Sequence, residues 1–283
     1  MEKCAGSYFL YNGKVEDKSK FDGGFDYKGK CLYEVIRIID GIPLFLDGHI
    51  HRFENSFKIE NLKLPVTEHK IEENIFELVK ANNKKIGNIK LVFNYVDNKF
   101  DFYSYFIPHK YPDKSDYENG VKTIIYHGER SNPNAKVINL DFRSSVDKKI
   151  KEMNVFEAIL VDRNGNITEG SKSNIFMVKD NKVYTAPKED VLPGITRDVI
   201  IKVCKNCGLE VLDKRINYKD INKLDGLFIS GTSPKVLPIC EVDEMKFDSQ
   251  KVQTIKRIRK GYDEYIEKYI RDFNSRNQKN NIQ

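Results

Sequence analysis

No tryptophan occurs among the 283 residues, yet phenylalanine and tyrosine hold the aromatic fraction at 11% and hydrophobic residues reach 40%. That composition excludes a disordered or fibrous chain and fits a globular one of one or two domains. No apolar run approaches the roughly 20 residues of a bilayer-spanning helix, so no membrane partner is expected. The opening MEKCAGSYFLYNGK lacks an apolar stretch followed by a small-residue cleavage site, which argues against secretion. There is no paired cysteine framework either: Cys4, Cys31, Cys204, Cys207 and Cys240 are odd in number and scattered, as reduced cytoplasmic thiols would be. Cys204 and Cys207 read C-K-N-C, but no second Cys/His pair completes a zinc set, and they end a helical pattern closed by Gly208. No metal is expected. The net charge of +6 is mild, and basic residues alternate with acidic ones throughout. Without a basic stripe or a reader motif, nucleic acid is not an expected partner, whereas small anionic ligands are. The mean hydropathy of −0.56 fits a well-solvated protein.

What is present is an alternation of strand and helix signals, without an internal repeat. SYFLYNGK and LYEVIRIIDGIPLFL read as strands, the second as a hairpin turning at Asp40-Gly41. In HIHRFENSFKIENL, the apolar Ile50, Phe53, Phe57 and Ile59 fall near helical spacing, and Thr67 is placed to cap a second helix, IEENIFELVKANNKK. NIKLVFNYV and KFDFYSYFI follow as strands. Residues 107–120, which contain PHKYPDKSDYENG, are polar and hold two prolines, and make the best linker. Beyond them come a strand VKTIIYH, a helix around DFRSSVDKKIKEM, a strand FEAILVD, a hairpin NIFMVKDNKVYTA, a helix TRDVIIKVCKNC and a short buried strand LFISG. The expected organisation is α+β in two domains: 1–106, a linker at 107–120, and 121–272, with 273–283 a disordered polar tail.

Three segments carry candidate chemistry. In LPGITRDVI a Pro-Gly turn enters a helix near Ile195, so bare amides and the helix dipole make an anion site, and Gly194 lets a phosphate approach the backbone. In FISGTSPK a strand runs into Gly231-Thr232-Ser233, a turn rich in amides and hydroxyls. In ITEGSKSNIF, Glu169 precedes a small-residue turn. Two oxyanion-binding turns and a carboxylate together suit a ligand with a phosphate and a basic nitrogen.

With these motifs the chain resembles the class IV (fold type IV) pyridoxal 5′-phosphate (PLP) aminotransferases, which include branched-chain and D-amino-acid aminotransferases and aminodeoxychorismate lyase. AKVINL, FEAILVDRNGNITEGSKSNIF, LPGITRDVI and FISGTSPKVLP occur in family order between Lys136 and Leu237, and LYEVIR and HIHRFENSF resemble the N-terminal pattern upstream. The resemblance implies a D-amino-acid aminotransferase-like fold whose residues 121–272 bind PLP. It implies that Lys136 is the catalytic Schiff-base lysine, which also moves the proton at the substrate Cα. Glu169 would pair with the pyridine nitrogen, keeping it protonated so that the ring is an electron sink. Arg52 would hold the phosphate together with Gly194, the amides of Ile195 and Thr196, Thr232 and Ser233, while Leu192 would press on a ring face.

On the substrate side the resemblance points to Tyr33, followed by Glu34, and to Lys90, nearest to an arginine of branched-chain enzymes; Gly231 belongs to the turn that holds the α-carboxylate. Lys172 stands where the family has a small residue, placed to meet an acidic side chain or to reach solvent. Where the family has Gly-Asp-Gly, this chain has Gly29-Lys30-Cys31, and the loop VDNKF lacks the Arg-x-His carboxylate trap of D-amino-acid enzymes. The implied activity is ping-pong transfer of an amino group between an amino acid, branched-chain or otherwise aliphatic, and a 2-oxo acid such as 2-oxoglutarate, by a cytoplasmic homodimer. The alternative within the family is aminodeoxychorismate lyase, releasing pyruvate. A remoter alternative is a non-enzymatic basic binding protein, which leaves the ordered motifs unexplained.

Overall fold

The computed structural model describes residues 2–23, 30–97, 99–130, 133–137 and 140–280. The chain divides into two units, one of Met1–Lys110, Ala135–Ile138 and Glu267–Gln283, the other of Tyr111–Asn134 and Asn139–Ile266.

The first unit is built on an antiparallel sheet of six strands: β1 (Tyr8–Tyr11), β2 (Lys14–Asp17), β3 (Lys30–Ile39), β4 (Ile42–Pro43), β5 (Gly87–Val96) and β6 (Lys99–Ile107), in the order β2-β1-β6-β5-β3-β4. The hairpin of β3 and β4 turns at Asp40 (φ 54°) and Gly41 (φ 80°), the left-handed pair that a two-residue hairpin needs. Helices α1 (Leu46–Ile59) and α2 (Glu68–Ala81) follow β4, and Thr67 caps α2 by accepting from the Lys70 amide at 3.2 Å. Side chains alternate across the strands. Leu32, Ile36 and Ile38 of β3 and Leu91 and Phe93 of β5 share one core with Ile50, Phe53 and Phe57 of α1 and Ile71, Ile75 and Leu78 of α2. Each buried phenylalanine there contributes roughly 1.5–3 kcal/mol of apolar transfer. The opposite face carries Cys31, Tyr33, Val92 and Tyr105, which pack with Cys4 and Phe9 in a separate core.

The second unit adds α3 (Lys114–Asn119), β7 (Val121–His127), α4 (Leu140–Glu152), β8 (Glu157–Val161), β9 (Asn166–Gly170), β10 (Asn174–Lys179), β11 (Lys182–Thr185), α5 (Ile195–Asn206), β12 (Val211–Asp213), β13 (Ile216–Asn217), β14 (Gly226–Gly231), β15 (Lys235–Val242), β16 (Met245–Lys246) and α6 (Gln253–Asn280), the end of which counts with the first unit. The strands β10-β14-β15-β7-β8-β9 run in that order, and the pairing of Asn174 with Glu169 brings β9 back to β10, so the sheet closes into a barrel. Ile159, Val161, Ile175, Met177, Leu227, Ile229, Leu237 and Ile239 alternate onto a single apolar core. Gly208 ends α5 at φ 69°, as its place in the sequence implies. Burial pushes the Cys204 thiol on α5 up to about 12, which makes it an inert core residue.

Three expectations about organisation are corrected. The unit boundary, between Lys110 and Tyr111, falls inside the 107–120 stretch, but residues after it belong to the second unit: Asp113 and Asp116 form a capping box that starts α3, and the Tyr117 hydroxyl donates to the Pro234 carbonyl at 3.0 Å. Ala135–Ile138 belongs with the first unit, not with a domain at 121–272, because Val137 bridges to Leu32 and the Tyr33 amide donates to the Lys136 carbonyl at 3.1 Å. Finally, α6 continues through residues 273–280 of the supposed tail. Tyr269 packs on Phe45 at 5.0 Å and Phe273 on Phe76 at 6.1 Å, so apolar contacts extend the helix past the point where composition turns polar. The last three residues of that tail lie outside the described residues.

Candidate active site

In the first unit, Lys136 sits on a single-bridge strand laid against β3, where its amide donates to the Ser56 hydroxyl of α1 at 3.2 Å. Backbone bonds at both sides of the residue fix where its side chain starts. Its Nζ lies 4.7 Å from the centre of the Tyr33 ring, and Lys90 Nζ, from β5, lies 4.8 Å from the same ring. Lys90 is only 5% exposed and is ion-paired with Glu2, whose other carboxylate oxygen accepts from the Tyr105 hydroxyl at 3.2 Å.

On the helix side of the same sheet, Glu34 is wholly buried. Arg52 on α1 donates to it twice, Nε to Oε1 at 2.7 Å and Nη2 to Oε2 at 2.6 Å. His49 Nδ1 is 2.8 Å from Oε2, and because an ionised carboxylate only accepts, that nitrogen carries the proton. Burial by itself would raise the Glu34 pKa, but the Arg52 charge and the His49 bond outweigh it and hold the carboxyl at about 2. Burial lowers the His49 pKa, and the charges of Arg52 and Lys136 push it the same way against the pull of Glu34, so the ring is neutral. His49 and His51 face apart, His51 being 86% exposed. Arg52 is therefore a clamped guanidinium, two of its donors committed to Glu34.

In the second unit, Glu169 closes β9 at 3% exposure. Its Oε2 accepts from the Leu192 amide at 3.1 Å, and Arg130 Nε lies 3.4 Å from Oε1. The turn after it is pinned by Glu157, which accepts from the Ala158 and Ser171 amides and from the Ser171 and Ser173 hydroxyls. A Cβ on Gly170 would fall 2.0 Å from Ser173 Oγ, which is why the turn needs glycine there. Leu192 is buried, and Asn174 Nδ2 donates to its carbonyl at 3.0 Å. Gly194 is the N-cap of α5; a Cβ there would lie 2.1 Å from Asn174 Oδ1. The amides of Ile195 and Thr196 open the helix, where no intrahelical carbonyl can reach them. Gly231 pairs with Lys235 across the β14–β15 hairpin, and Thr232 and Ser233 form its turn. Ser230, one step earlier, is fully buried, and its hydroxyl has no partner among the described residues.

Lys136, Tyr33, Lys90 and Arg52 thus gather in the first unit, and Glu169, Leu192, Gly194, Ile195, Thr196, Gly231, Thr232 and Ser233 in the second. Lys172 is not drawn in with them. It is 47% exposed and pairs with Asp147 of α4 at 2.6 Å, so its charge is spent in an exposed ion pair. Lys30 likewise pairs with Glu60 at 2.6 Å, while Gly29 lies outside the described residues. Sequence reasoning missed Glu2, His49, Arg130 and Glu157 as participants. Glu157 had a signal, a carboxylate inside an otherwise apolar strand; Glu2 and Arg130 had none.

Within the second unit, a buried carboxylate beside a glycine-led helix start and an orphaned serine hydroxyl suit a phosphate-bearing pyridine ring. A model of the class IV aminotransferases ("Amino-transferase class IV") matches residues 31–242. The chain belongs to that family. It is therefore related to the PLP-dependent transaminases, and PLP is its cofactor. Among curated relatives, a D-alanine aminotransferase of Bacillus licheniformis is 31% identical over 83% of this chain and 88% of its own length. A putative branched-chain-amino-acid aminotransferase of Methanocaldococcus jannaschii is 31% identical over 87% and 91%. An aminodeoxychorismate lyase of Bacillus subtilis is 25% identical over 92% and 95%. Of solved structures, Escherichia coli branched-chain amino acid aminotransferase superposes with a TM-score of 0.84 at 24% identity, covering 92% of this chain and 95% of that one, which shows the α+β class IV fold.

Proposed function

We propose that this class IV enzyme is a transaminase that moves an amino group between a branched-chain or other aliphatic amino acid and a 2-oxo acid, with Lys136 as its catalytic lysine. The observation that carries this reading is the sheet face bearing Tyr33, Val92 and Tyr105. Tyr33, Val92 and Tyr105 form a buried apolar layer there, with the Tyr33 ring centre 4.7 Å from the Lys136 ammonium, and its buried cation, Lys90, is already neutralised by Glu2. Such a face suits an uncharged side chain.

When bound, PLP supplies an electron sink for charge developing at the substrate Cα. Lys136 takes the proton from that carbon and returns it on the far side of the transfer. Glu169, held by the Leu192 amide, keeps a proton on the ring nitrogen. Arg52 supplies charge for the phosphate, its plane set by Glu34, and the amides of Ile195 and Thr196 with Gly194, Thr232 and Ser233 supply donors. Leu192 would pack on a ring face, and Gly231 of the second unit and Tyr33 of the first are the substrate-side residues that the family resemblance implies. The chain acts, on this reading, as a homodimer in the cytoplasm.

The test is a visible spectrum of purified protein with PLP, for wild type and Lys136→Ala, followed by L-leucine, L-glutamate and D-alanine. A band that needs Lys136 and changes with L-leucine supports the reading. A response to D-alanine alone would replace the substrate class, and no band at all would end the assignment of Lys136. The match to an aminodeoxychorismate lyase over 92% of the chain favours one second reading. Pyruvate release from aminodeoxychorismate without any added 2-oxo acid would establish it. Light scattering that gives only monomer would remove the dimer.

A further inference from the structure

We propose that a cavity of about 650 Å³ on the outer surface of the second unit binds a small organic cation, a guanidinium or ammonium group carried on a short hydrocarbon chain. The cavity lies where the end of β15 meets the starts of β7 and β8, between the turn that joins α4 to β8 and the β15–β16 hairpin. Its size is that of a small-molecule site, and it contains none of the residues assigned to PLP or substrate. Ile124, Val155, Met153 and Met245 give it an apolar lining, and Met153 is 51% exposed there. Three carboxylates, those of Glu241, Asp243 and Glu244, gather at the same opening. In a chain of net charge +6 such a rim selects a cation, and the apolar lining selects one with a hydrocarbon body.

Strand alternation would send Glu241 inward after Leu237 and Ile239, which both face the apolar core. A bulge prevents this: Ile239 pairs with Val121 but Glu241 with Lys122, so two residues of β15 are set against one of β7. Val242 takes the inward position instead, and Glu241 turns out beside Lys122, its ion-pair partner at 3.4 Å. Lys246 pairs with Glu241 as well. Those cations neutralise Glu241, whereas Asp243 and Glu244 have no ion pair among the described residues and leave the rim negative. Asp243 Oδ1 accepts from the Ile125 amide at 3.2 Å, and the Asp243 amide donates to the Thr123 carbonyl at 3.0 Å. On the other wall, the Val155 amide donates to the Ile150 carbonyl at 3.2 Å and the Phe156 amide to the Lys122 carbonyl at 2.9 Å. Both walls are thus fixed by backbone bonds before a ligand arrives, which lowers the ordering cost of binding. Helix α4 ends at Glu152, next to the cavity, and the negative end of its dipole adds to the attraction for a cation.

The test is calorimetric titration of the full chain, with PLP bound, by n-butylguanidinium, a cation that does not condense with the aldehyde of PLP as a primary amine would. Guanidinium itself, which lacks the hydrocarbon, and pentanoate, which carries the wrong charge, should each bind at least about tenfold more weakly. Asp243→Asn/Glu244→Gln should weaken butylguanidinium about tenfold. The asparagine keeps an acceptor for the Ile125 amide and tolerates the left-handed backbone at φ 51°. Glu244→Gln alone, at an exposed position, serves if the double variant does not fold, with a loss of about threefold expected. Met153→Arg places a tethered guanidinium in the cavity and should abolish binding. No binding of butylguanidinium to wild type, equal binding of pentanoate, or a folded variant that binds as wild type does would each overturn the proposal. A change of oligomeric state in Asp243→Asn/Glu244→Gln, read by light scattering, would make the rim a protein interface and overturn it too. The site shares no residue with the assignment of Lys136, so its failure is separate from failure of the spectral test.

Discussion

In the first unit the carboxylates are held by cations, the buried Glu34 by Arg52 and the partly exposed Glu2 by Lys90. In the second, Glu157 takes all four of its bonds from amides and hydroxyls, and Glu169 adds the Leu192 amide to its contact with Arg130. The first arrangement depends on charge balance, the second on where the backbone runs. Acid and charge-removing substitutions should therefore damage the first unit, and changes in backbone or turn geometry the second.

The largest effect expected is from Glu34→Gln. It removes the counter-charge of a buried guanidinium, and breaking such a pair costs about 3–5 kcal/mol. Urea unfolding would measure it, and a loss under 1 kcal/mol would mean that Arg52 finds another partner. The same network sets a pH dependence. His49 has its pKa lowered from 6.5, so its contribution is present above that value and is lost as pH falls below it. Glu34 has its pKa lowered from 4.5 to about 2, so its contribution is complete above 4.5 and is lost as pH falls toward 2. Stability measured against pH should thus fall in two steps, and Glu34→Gln should abolish the lower one. A single step unchanged in the variant would break the contrast between the units.

In the second unit Glu157→Ala leaves the Ser171 and Ser173 hydroxyls without this acceptor, the Ser171 amide keeping its bond to the Ala158 carbonyl, an expected cost of about 2–3 kcal/mol. PLP affinity should drop with it, because the turn that follows Glu169 is no longer pinned. Gly194→Ala is the geometric counterpart. Its added methyl would meet Asn174 Oδ1 at 2.1 Å, and relief of that overlap should cost about 1–3 kcal/mol and displace the start of α5. A PLP titration distinguishes these variants from Glu34→Gln by its pH profile: their loss should be the same at pH 6 and pH 8.

How much of this was legible in the sequence follows the same division. Strand alternation, the Asp40-Gly41 turn, the Thr67 cap and the Gly208 terminus are local signals, and the structure has each of them. The glycine-led start of α5 and the carboxylate of Glu169 could be read for the same reason, since an anion site made of consecutive amides is written in consecutive residues. Barrel closure could not, because it depends on one pairing between Asn174 and Glu169 that no run of residues announces. The ion pairs of Glu34 with Arg52 and of Glu2 with Lys90 join residues 18 and 88 positions apart, so neither spacing nor composition singles them out. Lys172 was open to two readings, meeting an acidic side chain or reaching solvent, and its exposed pair with Asp147 of α4 fits the second.

The smallest effect expected concerns the end of α6, and it separates packing from composition most cleanly. From Asn274 onward the sequence is polar and reads as a tail, yet Tyr269 and Phe273 sit one helical turn apart and both find aromatic partners. The Tyr269 hydroxyl accepts from the Leu46 amide at 3.3 Å and donates to the Pro43 carbonyl at 3.4 Å, which secures the start of α1 behind the left-handed Phe45. Tyr269→Phe keeps the ring contact but leaves that amide unpaired, so it should cost about 1 kcal/mol. Truncation after Asp272 removes the Phe273–Phe76 contact and should cost a similar amount, about 0.5–1.5 kcal/mol. Both losses should appear in urea unfolding. If truncation after Asp272 changes nothing while Tyr269→Phe does, the helix is anchored by Tyr269 alone and its last turns are held by helix propensity.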